Sequence, residues 1–167
     1  MRICFLDKRK ADEVLPVLFR ILYDNMERIA PVGDPYETSL SYWLDCIKPA
    51  LAKDARQILL LTDHEKIAGF FMYYVNNGVF MMEEIQFCEE YKGSGLFAEL
   101  YQYLITVIPP QTEFVEAYAN KNNSKSMAVL DHLGLNIIGE NKNGISWHYR
   151  GRYENLLRRY GSDIQYE

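Results

Sequence analysis

Long apolar runs are missing from this chain. Nowhere in its 167 residues does an apolar stretch approach the length that spans a bilayer, so no membrane partner is expected. The first residues, MRICFLDKRK, lack the apolar core that a secretory signal carries ahead of a small-residue cleavage site, so no export is expected. Cysteine is scarce: Cys4, Cys46 and Cys88 are an odd number at wide spacing. They make neither a disulfide framework nor a zinc site, and no metal is expected. They fit reduced thiols in a cytoplasm, each packed as a small hydrophobe. Basic charge is short as well. With a formal net charge of −5 the chain lacks the basic face of a nucleic-acid binder. Its one basic cluster, Arg150, Arg152, Arg158 and Arg159, reads as a solvated, partly helical tail. No internal repeat and no low-complexity linker interrupts the chain, and its length suits one domain over residues 1–167.

What the chain does have is enough apolar residues for a core, 49% of the total, arranged with two periods. RICFLD alternates as a strand. Val14, Leu15, Leu18, Phe19 and Leu22 then recur at helical spacing, with Pro16 expected in the first turn, where proline is tolerated. After the loop APVGDPYE, TSLSYWLDCIKPALAKDA reads as a helix that Pro49 bends or splits. QILLLTD and KIAGFFMYYV are strands, and Asn76-Asn77-Gly78 is a hairpin signal leading into GVFMMEEIQFC. A helix follows and stops before Pro109-Pro110; TEFVEAYAN is a strand and NSKSMAVLDHLG a helix, capped by Asn123 or Ser124 and closed by Gly134. LNIIGE and ISWHYRG form a last hairpin around Asn143-Gly144, where Trp147 and Tyr149 offer a surface for a homodimer. The order β-α-α-β-β-β-α-β-α-β-β predicts an α/β (α+β) fold. Its central sheet is mixed, mostly antiparallel, of about six or seven strands, with helices on both faces.

One stretch is built for a ligand. Residues 83–97 read EEIQFCEEYKGSGLF: a strand, an acidic turn, a Gly-x-Gly, then a helix start. Gly93 and Gly95 let backbone approach a bound group, and the free N–H groups and positive dipole end of the helix suit phosphate. Glu83 and Glu84 on the preceding strand are candidate bases. A dinucleotide fingerprint needs a third glycine where Ala98 stands, and no P-loop pattern is present.

Element order and turn together resemble the GNAT superfamily of acyl-CoA-dependent N-acyltransferases. The family pattern Gln/Arg-x-x-Gly-x-Gly/Ala falls on Glu90, Tyr91, Lys92, Gly93, Ser94 and Gly95, departing at the first position. A wider pattern departs at Glu89, often Pro in the family, and at Phe97, usually Gly or Ala. Downstream, Asn123, Ser126, Val129, His132, Leu133, Gly134 and Leu135 meet a second family spacing. AGFFMYY followed by the acidic pair is locally similar to the diamine and polyamine acetyltransferases.

The resemblance implies acetyl transfer from acetyl-CoA to a primary amine by direct attack in a ternary complex. The acceptor would be a small amine, a polyamine or a peptide amine. The backbone of Lys92, Gly93, Ser94, Gly95, Leu96 and Phe97 would hold the CoA pyrophosphate. The main chain at Phe87 and Cys88 would pair with the pantetheine arm. Asn123, with Ser126 in its motif, either holds the pantetheine or caps its helix. Glu83 is the preferred base and Glu84 the second. The family's tyrosine acid corresponds to Leu130, which donates no proton; Tyr118 or His132 would replace it. Tyr36, Tyr42 and Trp43 are candidate acceptor contacts. Because of Leu130, a catalytically weak or inactive CoA-binding domain of the same fold stands as the alternative.

Overall fold

Asp7 ends the first strand and starts the first helix. Its carboxylate accepts the N–H of Arg9 at 3.0 Å and caps a 3-10 turn, Lys8–Lys10. Arg9 also donates from its side chain, and these hydrogen bonds hold the Asp7 carboxyl down at about 2. β1 (Arg2–Phe5) precedes the turn and α1 (Ala11–Glu27) follows it. The computed structural model describes residues 1–161; the last six of the expected domain lie outside the described residues. The further elements are α2 (Tyr36–Ala52), β2 (Gln57–Asp63), β3 (Lys66–Asn76), β4 (Val79–Phe87), α3 (Leu96–Val107), β5 (Phe114–Asn120), α4 (Ser124–His132), β6 (Asn136–Glu140), β7 (Ser146–Arg152) and α5 (Tyr153–Tyr160). The strands form one seven-stranded sheet in the order β1-β2-β3-β4-β5-β7-β6. β4 and β5 run parallel, whereas β1–β2, β2–β3, β5–β7 and β6–β7 are antiparallel. This is the mixed, mostly antiparallel sheet that the element order predicts.

The chain divides into two compact units. The first is Met1–Tyr74 with Glu84–Lys92. Its core joins the α1 stripe Leu15, Leu18, Phe19 and Leu22 to Ile47 and Leu51 of α2 and to Ile58, Phe70 and Met72 of the strands. Two prolines behave differently from expectation. Pro16 is the sixth residue of α1, past the first turn, because the helix is already under way from Ala11. Its missing N–H costs α1 a hydrogen bond, and the buried stripe around it offsets that loss. Pro49 lies in the last turn of α2 and does not split it; its carbonyl accepts the N–H of Lys53. Tyr36 and Trp43 pack on Phe19, with ring centroids 5.4 and 5.5 Å away, so both serve this core; Tyr42 is exposed.

Gly69 on β3 is closely covered by β4 backbone. A Cβ there would sit 2.4 Å from the carbonyl oxygen of Gln86 and 2.7 Å from Cδ1 of Phe87. A backbone oxygen has no room to give way, so Gly69→Ala should destabilise the protein by about 1–3 kcal/mol. At this size that corresponds to a fall in Tm of roughly 2–4 °C per kcal/mol. An unchanged melting curve would contradict the close approach.

The second unit is Val75–Glu83 with the chain from Gly93 onward. Its hairpin has φ of 49° at Asn77 and 74° at Gly78, the positive pair that the Asn-Gly signal predicts. α3 buries Leu96, Leu100, Tyr101 and Leu104. β7 lies between β5 and β6, so the last hairpin folds back on β5. The C-terminal segment is more than a solvated tail. α5 buries Tyr153 and Leu156, and the Tyr153 ring meets Phe80 edge-on at 6.3 Å. Arg158 and Arg159 stay exposed, whereas Arg150 lies over the Phe114 ring at 3.9 Å. Tyr149 is buried within this unit, which removes it from the dimer surface drawn from the sequence.

Candidate functional site

The glycine turn of the second unit has the shape an anion site needs. Gly93 and Gly95 have φ of 76° and 84°, the left-handed region that disfavours side chains. No protein atom lies within 4 Å of a Cβ built on either, so it is backbone conformation that calls for glycine here. Gly95 is the N-cap of α3 and has no side chain to close it. The Ala98 N–H turns back to the Gly95 carbonyl at 3.0 Å, while the N–H groups of Leu96 and Phe97 belong to the first turn, which has no intrahelical acceptor for them. Ser94 is exposed between the two glycines. Phe97 leaves this turn clear: its ring lies against Tyr101 at 4.7 Å, and Tyr101 donates its hydroxyl to the Met82 sulfur at 3.1 Å. Burial pushes the Tyr101 phenol far up, so it keeps its proton at neutral pH.

β4 and β5 pair from Val79↔Phe114 to Met82↔Ala117. Glu83 is the next residue of β4, half-buried, with Oε2 shielded from solvent. Tyr118 is the next residue of β5, exposed, with its ring stacked on His148 of β7 at 4.4 Å and 13°. His148 in turn bonds Glu116 at 2.9 Å. Asn123 caps α4, accepting the Ser126 N–H at 3.0 Å through its side-chain oxygen. Its amide NH₂ is not used by that cap. Leu130 is buried, as its place in the apolar face of α4 requires, and His132 is exposed at the end of that helix.

The first unit holds the other expected residues in a polar chain. Gln86 donates to Glu84 at 2.9 Å. Asn25, near the end of α1, donates to the side chain of Gln86 at 2.9 Å and to the carbonyl of Phe87 at 3.0 Å. Lys92 donates to the Asn25 oxygen at 2.8 Å and to Glu89 at 2.7 Å, and Arg28 reaches the same Glu89 oxygen at 2.8 Å. The Lys92 hydrogen bond, reinforced by Arg28, holds the Glu89 carboxyl below its usual range. Arg28 and Lys92 thus share one carboxylate, Glu89.

Cys88 is committed within the protein. Its N–H goes to the Ala68 carbonyl at 2.8 Å, its carbonyl accepts from Tyr91 at 3.0 Å, and its thiol donates to the Ile67 carbonyl at 3.3 Å. Because backbone groups alternate sides along a strand, Phe87 and Ile85 turn theirs away from β3. Burial pushes the Cys88 thiol up, so it is a poor nucleophile at neutral pH. Alkylation at pH 7.5 should label exposed Cys46 well before Cys88, as peptide mapping would show; equal labelling would contradict this burial.

Sequence reasoning missed Asn25, Glu116 and His148. Asn25 looks like any polar residue late in a helix. Glu116 and His148 meet only through the register of β5 on β7, which no local pattern discloses.

Among the described residues no helix is long and apolar enough to cross a membrane, and no group of three His, Cys, Asp or Glu is placed to hold a metal ion.

The architecture, with the glycine turn leading from β4 into α3, is the fold of the GNAT acetyltransferases. Among solved structures the chain is similar to the PaiA N-acetyltransferase of Thermoplasma acidophilum in complex with coenzyme A. That match has a TM-score of 0.74 and 12% identity over 92% of this chain and 100% of that one. An acetyltransferase of Thermus thermophilus matches with a TM-score of 0.69 and 13% identity over 91% and 97%. A single-site variant of the spermidine N-acetyltransferase SpeG of Vibrio cholerae matches with a TM-score of 0.63 and 12% identity over 95% and 99%. No family model matches this chain, and no curated protein matches it. At these identities the likeness is one of fold.

Proposed function

We propose that this protein is an N-acetyltransferase, a single functional domain that moves the acetyl group of acetyl-CoA to a primary amine by direct attack. The observation that carries the reading is the N-terminus of α3, where the N-cap is a left-handed Gly95 with no side chain of its own to cap the first-turn N–H groups. A pyrophosphate needs such a row of donors, and an open turn at residues 93–97 fits it. A neighbour of the same fold was crystallised with coenzyme A, which supports the same ligand here. Lys92 immediately precedes the turn in the chain and would add a positive charge there. The pantetheine arm would pair with the groups that Ile85 turns away from β3 and with the Phe87 N–H, since the Phe87 carbonyl already accepts from Asn25. The amide NH₂ of Asn123 would take a further hydrogen bond.

The chemistry needs proton transfers more than covalent help. An ammonium has no lone pair, so a base must take a proton before the nitrogen attacks. Glu83 is the candidate, with Glu84 second and tied to Gln86. The departing sulfur is protonated from the corner of Tyr118 and His148, since Leu130 offers no donor. The raised Cys88 thiol argues against an acetyl-cysteine intermediate. The spermidine enzyme among the neighbours makes polyamines the first acceptors to try. The setting would be the cytoplasm, where acetyl-CoA and amines occur.

The test is turnover. The protein is incubated with acetyl-CoA and a panel of polyamines, aminoglycosides and peptide amines, and free thiol is followed. Thiol release that depends on one class of amine is expected. CoA binding without release on any acceptor would favour the inactive-domain reading.

A further inference from the structure

In the acetyl-transfer reading Glu83 accepts only the first proton of the attacking nitrogen, and the corner that protonates sulfur has no proton supply of its own. Two protons must leave the ammonium nitrogen to make an amide, and a single carboxylate takes one. The second unit contains an arrangement suited to the other. On β5 and β7, Glu116 opposes Arg150 and Tyr118 opposes His148 in the antiparallel register. Glu116 is nearly buried: its Oε1 lies 3.3 Å from Arg150 Nη1 and its Oε2 lies 2.9 Å from His148 Nε2. The carboxylate is bridged between the guanidinium and the ring, accepts from the imidazole and so fixes the proton on Nε2. The lone pair then sits on Nδ1, which makes no hydrogen bond among the described residues and is not shut off from solvent. Tyr118 covers one face of the ring at 4.4 Å, so the imidazole is held both in plane and in tautomer. The other charged groups on this ladder are Lys121 and Glu140, paired with each other, and Arg152 over Phe114.

Position matters as much as geometry. The β4–β5 ladder ends at Met82↔Ala117, and Tyr118, opposite His148, is the first residue of β5 beyond it. That end of β5 leads into Asn123 and α4, where the family resemblance puts the pantetheine. The dyad thus stands at the ligand end of the strand, although His148 lies about fifty residues from the glycine turn in sequence.

The geometry points to His148 as the proton carrier of acetyl transfer, oriented by Glu116 and covered by Tyr118. This rests on the acetyltransferase reading. Glu83 takes the first proton from the ammonium. The neutral amine attacks the thioester carbon, forming the C–N bond and a tetrahedral intermediate. Nδ1 of His148 takes the second proton from the attacking nitrogen. The C–S bond breaks, the electron pair leaves on sulfur, and the imidazolium gives its proton to that sulfur as free CoA. The proton on Glu83 goes to solvent, so one amide, one thiol and one released proton result.

Wild type, His148→Ala, His148→Asn and Glu116→Gln are compared for CoA affinity by calorimetry and for turnover with the best amine. Both His148 variants should lose about 100-fold in kcat with CoA affinity unchanged, and added imidazole should restore part of the rate to His148→Ala. Glu116→Gln should lose less and move the pH profile of kcat. NMR of the ring nitrogens in the wild-type protein should show the Nε2–H tautomer, a readout that needs no variant to fold. Turnover of both His148 variants within twofold of wild type, or an Nδ1–H tautomer, would overturn the assignment alone. Wild-type protein that binds no CoA would sink the acetyltransferase reading and this assignment with it.

Discussion

Replacing Glu83 by Gln should lower kcat for acetyl transfer by a factor on the order of 10² to 10⁴, the usual contribution of a positioned base. The amide keeps the shape of the side chain and removes only its basicity. CoA affinity should therefore stay at the wild-type value, because Glu83 belongs to β4 and not to the glycine turn. The remaining rate should rise with pH, as bulk deprotonation of the ammonium replaces the missing base. Glu84→Gln should cost less, since Glu84 already accepts from Gln86 in the chain that runs through Asn25 to Lys92. A Glu83→Gln enzyme with the wild-type rate across the pH range would move the base elsewhere.

The second large effect concerns the cradle. Gly95→Asp should weaken CoA binding at least 100-fold, equivalent to about 3 kcal/mol. Gly95 holds φ of 84° at the N-cap of α3. Aspartate tolerates this region better than most residues and favours helix N-caps, so the fold should survive. Its carboxylate would then occupy the first-turn N–H groups and repel the pyrophosphate at the same place. Gly95→Asn separates the two causes: it carries the same backbone strain without the charge, and it should keep more affinity than the aspartate variant. Equal affinity of wild type and Gly95→Asp for CoA would show that the turn holds no phosphate.

The fold was legible because its signals are local. Asn77-Gly78 has the dihedral angles its dipeptide dictates, and Asn123 and Gly134 bound α4 as capping chemistry requires. The glycine turn could be placed because Gly93 and Gly95 precede an apolar helical stripe. The failures are tertiary. Pro16, expected in a tolerated first-turn position, sits inside α1, and Pro49, expected to bend or split α2, lies in its last turn; packing of the buried stripes holds both helices together. The segment from Arg150 onward reads as solvated because its four arginines outnumber its two anchors, Tyr153 and Leu156. The site was half readable. Glu83, Gly93 and Gly95 stand in one stretch of sequence, whereas Asn25 reaches Gln86 across 61 positions and Glu116 reaches His148 across 32. Such partners are set by strand register and helix placement, which single-chain periodicity does not encode.

The central claim is that the turn at residues 93–97 holds the pyrophosphate of CoA. Calorimetric titration of the wild-type chain with CoA and, separately, with pantetheine tests it most directly. The account predicts one CoA bound per chain and pantetheine binding weaker by at least 100-fold, because pantetheine lacks the phosphate that the α3 N-terminus would receive. Equal affinity for the two, or no binding of CoA at all, would contradict it.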